Sequence, residues 1–132
     1  MTMNNPYKTY EQNAINTVSP GELTIMLYNG CLKFISKAKR AIEENKNEDR
    51  NVNIQKAQDI IRELMVTLNM DYDVSKNMIT LYEYILGQLT EANIHSDLNA
   101  LEEASTLVTE FRDTWKQVIQ INRQKQYQGG SV

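Results

Sequence analysis

The sequence predicts an all-α fold, an antiparallel up-down-up-down four-helix bundle with a short N-terminal helical cap segment. Apolar residues recur at steps of three and four over most of the chain, as on the buried face of an amphipathic helix. The two prolines are Pro6 and Pro20, so no residue from Glu22 onward forbids a helix. No β-type alternation of useful length competes with this reading.

A chain of 132 residues fits one domain built around a single core. We expect residues 19–122 to form the bundle. Residues 1–18 form the cap segment, which is too short to be stable alone in water and must lie on something. Residues 123–132 are polar, contain Gly129-Gly130-Ser131, and are expected to form a flexible tail.

The first helix has the sharpest predicted start. Ser19-Pro20-Gly21-Glu22 has the form of a capping box with proline at the first helical position, where its missing N–H does no harm. A loop is expected at the polar run of residues 45–49. The core stripe between them comprises Leu23, Leu27, Gly30, Cys31, Phe34, Ala38 and Ala41.

The same spacing predicts three further helices. Asn69 and an acidic stretch at residues 71–73 close the second helix, Ser75 can cap the third, and Ser96 or Asp97 can cap the fourth. Helices of this length joined by short loops fold back on their neighbours. Their core stripes are Ile54, Ala57, Ile61, Leu64, Met65 and Leu68; Met78, Leu81, Tyr82, Ile85, Leu89 and Ala92; and Leu101, Ala104, Val108, Phe111, Trp115 and Val118.

Composition argues against several functions. A net charge of −3 without a basic face disfavours nucleic acid as a partner, and the short apolar runs predict neither membrane insertion nor a signal peptide. Cys31 is the only cysteine and suits a reducing compartment, where we expect it to be an inert buried residue. We therefore expect a cytoplasmic protein.

The residues also predict no enzyme, no metal site and no cofactor. His95 is the only histidine, so multi-histidine zinc sites and di-iron sites with paired Glu-x-x-His motifs are excluded. A phosphotransfer bundle needs its histidine in the middle of a helix, whereas His95 lies beside an expected helix end. There is no glycine-rich phosphate loop between a strand and a helix.

The first helix is more apolar than a bundle requires. Ile25, Tyr28, Leu32 and Ile35 form a second row beside the core stripe. Ordinary packing against two neighbours and the cap segment is one explanation, and a surface for another polypeptide, exposed when the cap moves aside, is another. Self-association or swapping of the cap segment stays open as well. Further apolar residues off the core faces are Val66, Met70 and Tyr84.

Several stretches resemble the flagellin-specific export chaperones of the FliS family. Residues 14–35, AINTVSPGELTIMLYNGCLKFI, resemble the family signature, in which a Ser-Pro turn opens a helix continuing as Met-Leu-Tyr-x-Gly. Residues 56–69, KAQDIIRELMVTLN, resemble its second helix, and residues 81–97, LYEYILGQLTEANIHSD, its third helix and following turn. Residues 113–117, DTWKQ, resemble its closing motif, so the likeness spans nearly the whole chain.

The resemblance implies a cytoplasmic chaperone that binds the disordered C-terminal segment of flagellin, prevents premature polymerisation and aids delivery to the flagellar type III export apparatus. Through the chaperone–flagellin complex, it also implies contact with export gate components. A helical adaptor or signalling bundle with a different protein client is the alternative. The flagellin-binding candidates carried over from the resemblance are Tyr7, Tyr10, Ile15, Leu23, Leu27, Tyr28, Leu64, Leu68, Leu81, Tyr82, Ile85 and Asn93.

Among these candidates, Tyr28 and Tyr10 are expected to lie away from the centre of the core stripe. Their replacement by alanine should then weaken binding and leave helicity nearly unchanged.

Overall fold

The computed structural model describes residues 20–130, with side chains described for residues 21–124. Four helices fill this range: α1 Pro20–Glu43, α2 Asn47–Val66, α3 Asp73–His95 and α4 Leu98–Gly130. No strand occurs between residues 20 and 130. The predicted all-α four-helix bundle is confirmed, while the predicted cap segment of residues 1–18 lies outside the described residues.

The helices form a closed ring in chain order. α1 packs on α2, α2 on α3, α3 on α4, and α4 closes the ring against α1. The connections between consecutive helices are short, so neighbouring helices run in opposite directions. Each helix therefore has two adjacent partners and one diagonal partner that only long side chains can reach.

Two tight connections use the left-handed backbone conformation. Asn45 has φ 57° and Ser96 has φ 51°, and each follows the end of a helix. Asparagine tolerates this conformation because its short polar side chain can hydrogen-bond locally. Ser96 ends α3, and Asp97 caps α4, since its Oδ1 accepts hydrogen bonds from the backbone N–H groups of Asn99 at 2.9 Å and Ala100 at 3.1 Å.

The structure corrects two predicted helix limits. α2 begins at Asn47, inside the run expected to be a loop, because Glu48 and Asp49 in its first turn complement the positive end of the helix dipole. α3 begins at Asp73, so Ser75 does not cap it and lies buried within it. α4 extends to Gly130, and the bundle bounds of residues 19–122 stay a prediction. The flexibility expected of residues 123–132 stays a prediction.

The core runs along the inside of the ring. Cys31 is completely buried, as predicted, and its Sγ lies 3.7 Å from the carbonyl oxygen of Ala57. Burial raises the pKa of the Cys31 thiol to about 12, so the thiol stays protonated and unreactive at neutral pH. The largest fully buried side chains besides Cys31 are Tyr28, Tyr82, Ile54, Ile60, Ile61, Leu64, Ile85, Leu89, Leu101 and Val108.

Candidate protein-binding surface

Tyr28 and Tyr82 lie at the centre of the core. Each is 1% exposed, and their hydroxyl oxygens are 2.6 Å apart, across the diagonal from α1 to α3. The Phe111 ring of α4 stacks on Tyr28 at a centroid distance of 6.0 Å and lies 5.0 Å from the Tyr82 ring. Burial raises the pKa of both tyrosines, which stay neutral at physiological pH.

The expectation that Tyr28 lies away from the core centre is therefore wrong. α1 packs against both α2 and α4, and the long Tyr28 side chain reaches α3 as well, so the wide apolar arc of α1 serves three partners. In the second row, Ile35 is also buried, whereas Ile25 and Leu32 are half-buried. The burial of this row agrees with the first of the two explanations, ordinary packing within the bundle.

Three other candidates belong to the same interior. Leu27, Leu64 and Ile85 are each at most 6% exposed and pack in the core cluster. In this conformation they stabilise the bundle from inside, as do Tyr28 and Tyr82. Their contact with a client stays a prediction that requires the helices to separate.

Asn93 is held in a hydrogen-bond network between α2 and α3. Its Oδ1 accepts a hydrogen bond from Arg50 Nε at 3.0 Å, and its Nδ2 donates to Asn51 Oδ1 at 2.8 Å. Arg50 Nη1 also donates to Asn47 Oδ1 at 2.8 Å and Ser96 Oγ at 3.0 Å. The network ties the start of α2 to the end of α3, so the half-buried Asn93 has a structural role.

Leu23 lies in the first turns of α1, close in sequence to residues that contact α4. Trp115 Nε1 donates a hydrogen bond to the carbonyl oxygen of Gly21 at 3.0 Å, and Glu22 forms an ion pair with Arg123. A Cβ built at residue 21 would stand 3.1 Å from Ile119 Cδ1, so glycine permits this close approach. Leu23 itself is half-buried.

The remaining described candidates lie closer to the surface. Leu81 on α3 is 41% exposed, and Leu68, in the connection between α2 and α3, is half-buried against the core. Tyr7, Tyr10 and Ile15 lie outside the described residues. The structure thus leaves Leu23, Leu68 and Leu81 as the described candidates with accessible apolar atoms.

Several strongly exposed apolar residues lie around the α2–α3 connection. Val66 is 82% exposed, Met70 47%, Tyr72 63% and Val74 61%. We call these four residues the junction patch. Large apolar groups gathered at one place on a surface commonly mark an interaction site, whereas isolated ones do not. Leu81 lies about two turns along α3 from Val74, and Tyr84 on the same helix is also exposed.

Two of the four junction-patch residues could be identified from the sequence. Val66 and Met70 stood out because they lie off the core face of α2. Tyr72 lies in the acidic stretch expected to close the second helix, and Val74 precedes the expected cap at Ser75. The signal that identifies Tyr72 and Val74 is an apolar residue on each side of Asp73, where α3 begins.

The described residues bear on catalytic and metal-binding arrangements as well. They contain no group of three or more His, Cys, Asp and Glu side chains that could hold a metal ion. His95 is the last residue of α3, and its Nε2 lies 3.3 Å from Glu91 Oε2 on the exposed surface. None of the helices within residues 20–130 combines the length and hydropathy needed to cross a bilayer.

Comparison with known proteins agrees with this architecture. Residues 3–122 match the family model described as flagellar protein FliS. The chain is 48% identical over 132 residues to the flagellar secretion chaperone FliS of Bacillus subtilis strain 168, covering 100% of this chain and 99% of the relative. It is 30% identical over 109 residues to the flagellar secretion chaperone FliS of Escherichia coli K12, covering 80% of each.

A solved structure supports the fold independently. The crystal structure of a bacterial flagellar chaperone superposes with a TM-score of 0.72 at 22% identity, covering 87% of this chain and 95% of the other. The helix start at Pro20 and the four-helix ring agree with the family match over residues 3–122. The chain belongs to the FliS family of flagellar secretion chaperones.

Proposed function

We propose that this chaperone binds the disordered C-terminal segment of flagellin in the cytoplasm. Binding would keep flagellin from polymerising before export and aid its delivery to the flagellar type III export apparatus. Contact with export gate components would then be made by the chaperone–flagellin complex. Binding, and not catalysis, is the activity proposed.

The observation that carries this proposal is the exposed apolar surface at the α2–α3 connection and along α3. Family membership gives a flagellar role, and the junction patch with Leu81 supplies a place where a client could bury apolar side chains. A disordered client gains little from any one contact, because its ordering costs conformational entropy. It compensates by wrapping a large area.

The buried aromatic cluster supports the proposal indirectly. Tyr28, Tyr82 and Phe111 join three of the four helices, which favours a preorganised scaffold over one that must refold around its client. The client would then bind in grooves between helices that already exist. We therefore place the binding surface at Leu23, Leu68, Leu81 and the junction patch, with Tyr7, Tyr10 and Ile15 as further candidates in the N-terminal segment.

The test is light-scattering chromatography of the full chain with and without a C-terminal fragment of flagellin. A stable one-to-one complex is expected, and the mass of the free protein reports self-association. A flagellin fragment truncated before its disordered C-terminal segment is the matched control and should not bind. Failure of the intact C-terminal fragment to form a complex would favour the alternative, a helical adaptor with a different client.

A further inference from the structure

A groove of about 440 Å³ lies between α1 and α2, near the connection that joins them. Its charged lining comes from the second half of α1, the connection and the first turns of α2. Basic residues outnumber acidic ones in this lining, although the whole chain carries a net charge of −3. The charged residues are Lys33, Lys37, Arg40 and Lys46 against Glu44 and Asp49.

Three of these cations have no described counter-ion. Lys46 Nζ pairs with Glu44 at 3.1 Å, which neutralises both. Within residues 21–124, Lys33, Lys37 and Arg40 form no ion pair with a described carboxylate. All three are exposed, so a positive stripe without described ion-pair partners faces the groove.

The helix dipole of α1 does not explain this stripe. Arg40 lies in the last turn of α1, where a cation stabilises the negative end of the helix. Lys37 and Lys33 lie before that turn, and the dipole effect falls off within one turn. Asp49, by contrast, lies in the first turn of α2, where a negative charge stabilises the positive end of the helix dipole.

Lys37 shares an aromatic contact with Lys56 of α2, a lysine outside the groove lining. The Nζ atoms of Lys37 and Lys56 lie 5.8 Å and 5.4 Å from the centroid of the Phe34 ring. Lys37 belongs to α1 and Lys56 to α2, so this half-buried ring has a lysine from each helix over it. Lys56 is not part of the groove lining, whose α2 residues are Asp49 and Asn53, so the positive stripe of the groove belongs to α1.

We propose that this groove binds an acidic helical segment of a partner protein. Lys33, Lys37 and Arg40 stand at positions i, i+4 and i+7 of α1, a stripe of about 10 Å. A helix with carboxylates at the same spacing presents one acidic group to each cation. The Arg40 guanidinium can donate two parallel hydrogen bonds to one carboxylate, while the lysines act as point charges.

A nucleic acid fits this groove less well than an acidic helix does. The stripe is short, and the net negative charge of the chain opposes the long-range approach of a polyanion. A short acidic segment senses mainly the local charges, because salt screens those farther than about 8 Å away.

The groove is separate from the surface proposed for flagellin. It lies near the start of α2, whereas the junction patch lies at its end, about 20–25 Å away along the helix. The second partner could therefore bind while the client is held. This inference goes beyond the proposed function and does not depend on it.

The test uses the full chain and a fluorescent helix-forming peptide of about 15 residues with glutamates at positions i, i+4 and i+7. Binding is followed by fluorescence anisotropy, and amide shifts in NMR spectra locate the peptide. The triple variant Lys33→Glu, Lys37→Glu, Arg40→Glu should bind at least about tenfold more weakly than the unmodified chain. The variant Lys39→Glu, Lys76→Glu, Lys116→Glu changes the net charge equally at exposed lysines elsewhere and should keep most of the affinity.

Affinity should fall as salt is raised, and a peptide with glutamine at the three positions should not bind. The proposal is overturned if both triple variants lose affinity equally, since net charge alone would then explain binding. It is also overturned if shifts map outside the groove, or if a single-stranded oligonucleotide of equal charge binds more tightly. Circular dichroism of each variant verifies folding, and retained flagellin binding by the groove variant would separate the two surfaces.

Discussion

The hydroxyl groups of Tyr28 and Tyr82 meet at 2.6 Å across the diagonal of the bundle, where the backbones of α1 and α3 do not touch. Each hydroxyl has the other as its side-chain hydrogen-bond partner, and both lie in an apolar interior. A buried polar group that loses its partner keeps the whole cost of its desolvation. This pair should therefore respond to substitution as a unit.

Tyr28→Phe and Tyr82→Phe should each lower the free energy of unfolding by about 1–3 kcal/mol, because each leaves one buried hydroxyl without its partner. The double variant should lower the free energy of unfolding by less than the sum of the two single losses, because it leaves neither hydroxyl behind. Urea denaturation of the four proteins measures the coupling. Strictly additive losses would show that the hydroxyl contact contributes nothing of its own.

Stability should also fall at alkaline pH. Burial raises the pKa of Cys31 from 9.0 to about 12, and it raises the pKa of Tyr28 and Tyr82 above 10.0. Above these unfolded-state values the unfolded chain has released protons that the folded chain still holds, so raising the pH favours unfolding. The stabilisation is complete below about pH 9 and is lost as the pH rises toward the folded-state values, by ~1.4 kcal/mol per pH unit for each group.

Chemical denaturation between neutral pH and about pH 11 tests this dependence. The double variant Tyr28→Phe, Tyr82→Phe should show a shallower decline above pH 10, since two titrating groups are gone. Tyr72→Phe, which removes a phenol at a position that is 63% exposed, is the matched control. Equal slopes in all three proteins would place the alkaline sensitivity elsewhere.

Asn93 is expected to matter for stability more than for binding. Asn93→Ala removes an acceptor from Arg50 and a donor from Asn51, and should lower the free energy of unfolding by about 1–3 kcal/mol. Its affinity for the flagellin C-terminal segment should stay within about twofold of the unmodified chain. Asn77→Ala, at an exposed position of α3, is the control for both measurements. A large loss of affinity without loss of stability would instead make Asn93 a contact residue.

The fold could be predicted because its signals are local. Spacing of three and four located Phe111 and Trp115 on the inner side of α4, and the Ser19-Pro20 signature agrees with a helix from Pro20. Residues 47–49 were misassigned because polarity alone does not distinguish a loop from the first turn of an exposed helix. Acidic residues at a helix start stabilise it without any apolar pattern.

The candidate surface was harder to predict, because burial depends on which helices meet. Nothing in the spacing of Tyr28 shows that its hydroxyl reaches Tyr82, a residue 54 positions away in the sequence. Conversely, Val74 occupies a core-like position in the α3 pattern and is exposed because it lies at the end of the bundle. Apolar periodicity identifies a face of a helix but not where along the helix its neighbours stop.

The junction patch provides the most direct test of client binding. The triple variant Val66→Ser, Tyr72→Ser, Val74→Ser removes apolar surface from exposed positions and should weaken binding of the flagellin C-terminal segment by about tenfold or more. Its thermal unfolding should change little, since exposed side chains contribute little to the core. The control Val52→Ser, Ile94→Ser, Leu98→Ser alters three apolar residues, 38% to 68% exposed, at the other end of the bundle. Calorimetric titration of both variants with the flagellin segment decides between the two ends of the bundle. Equal losses of affinity would mean that the client does not distinguish the two ends. Unchanged affinity of the junction variant would remove the junction patch from the binding surface.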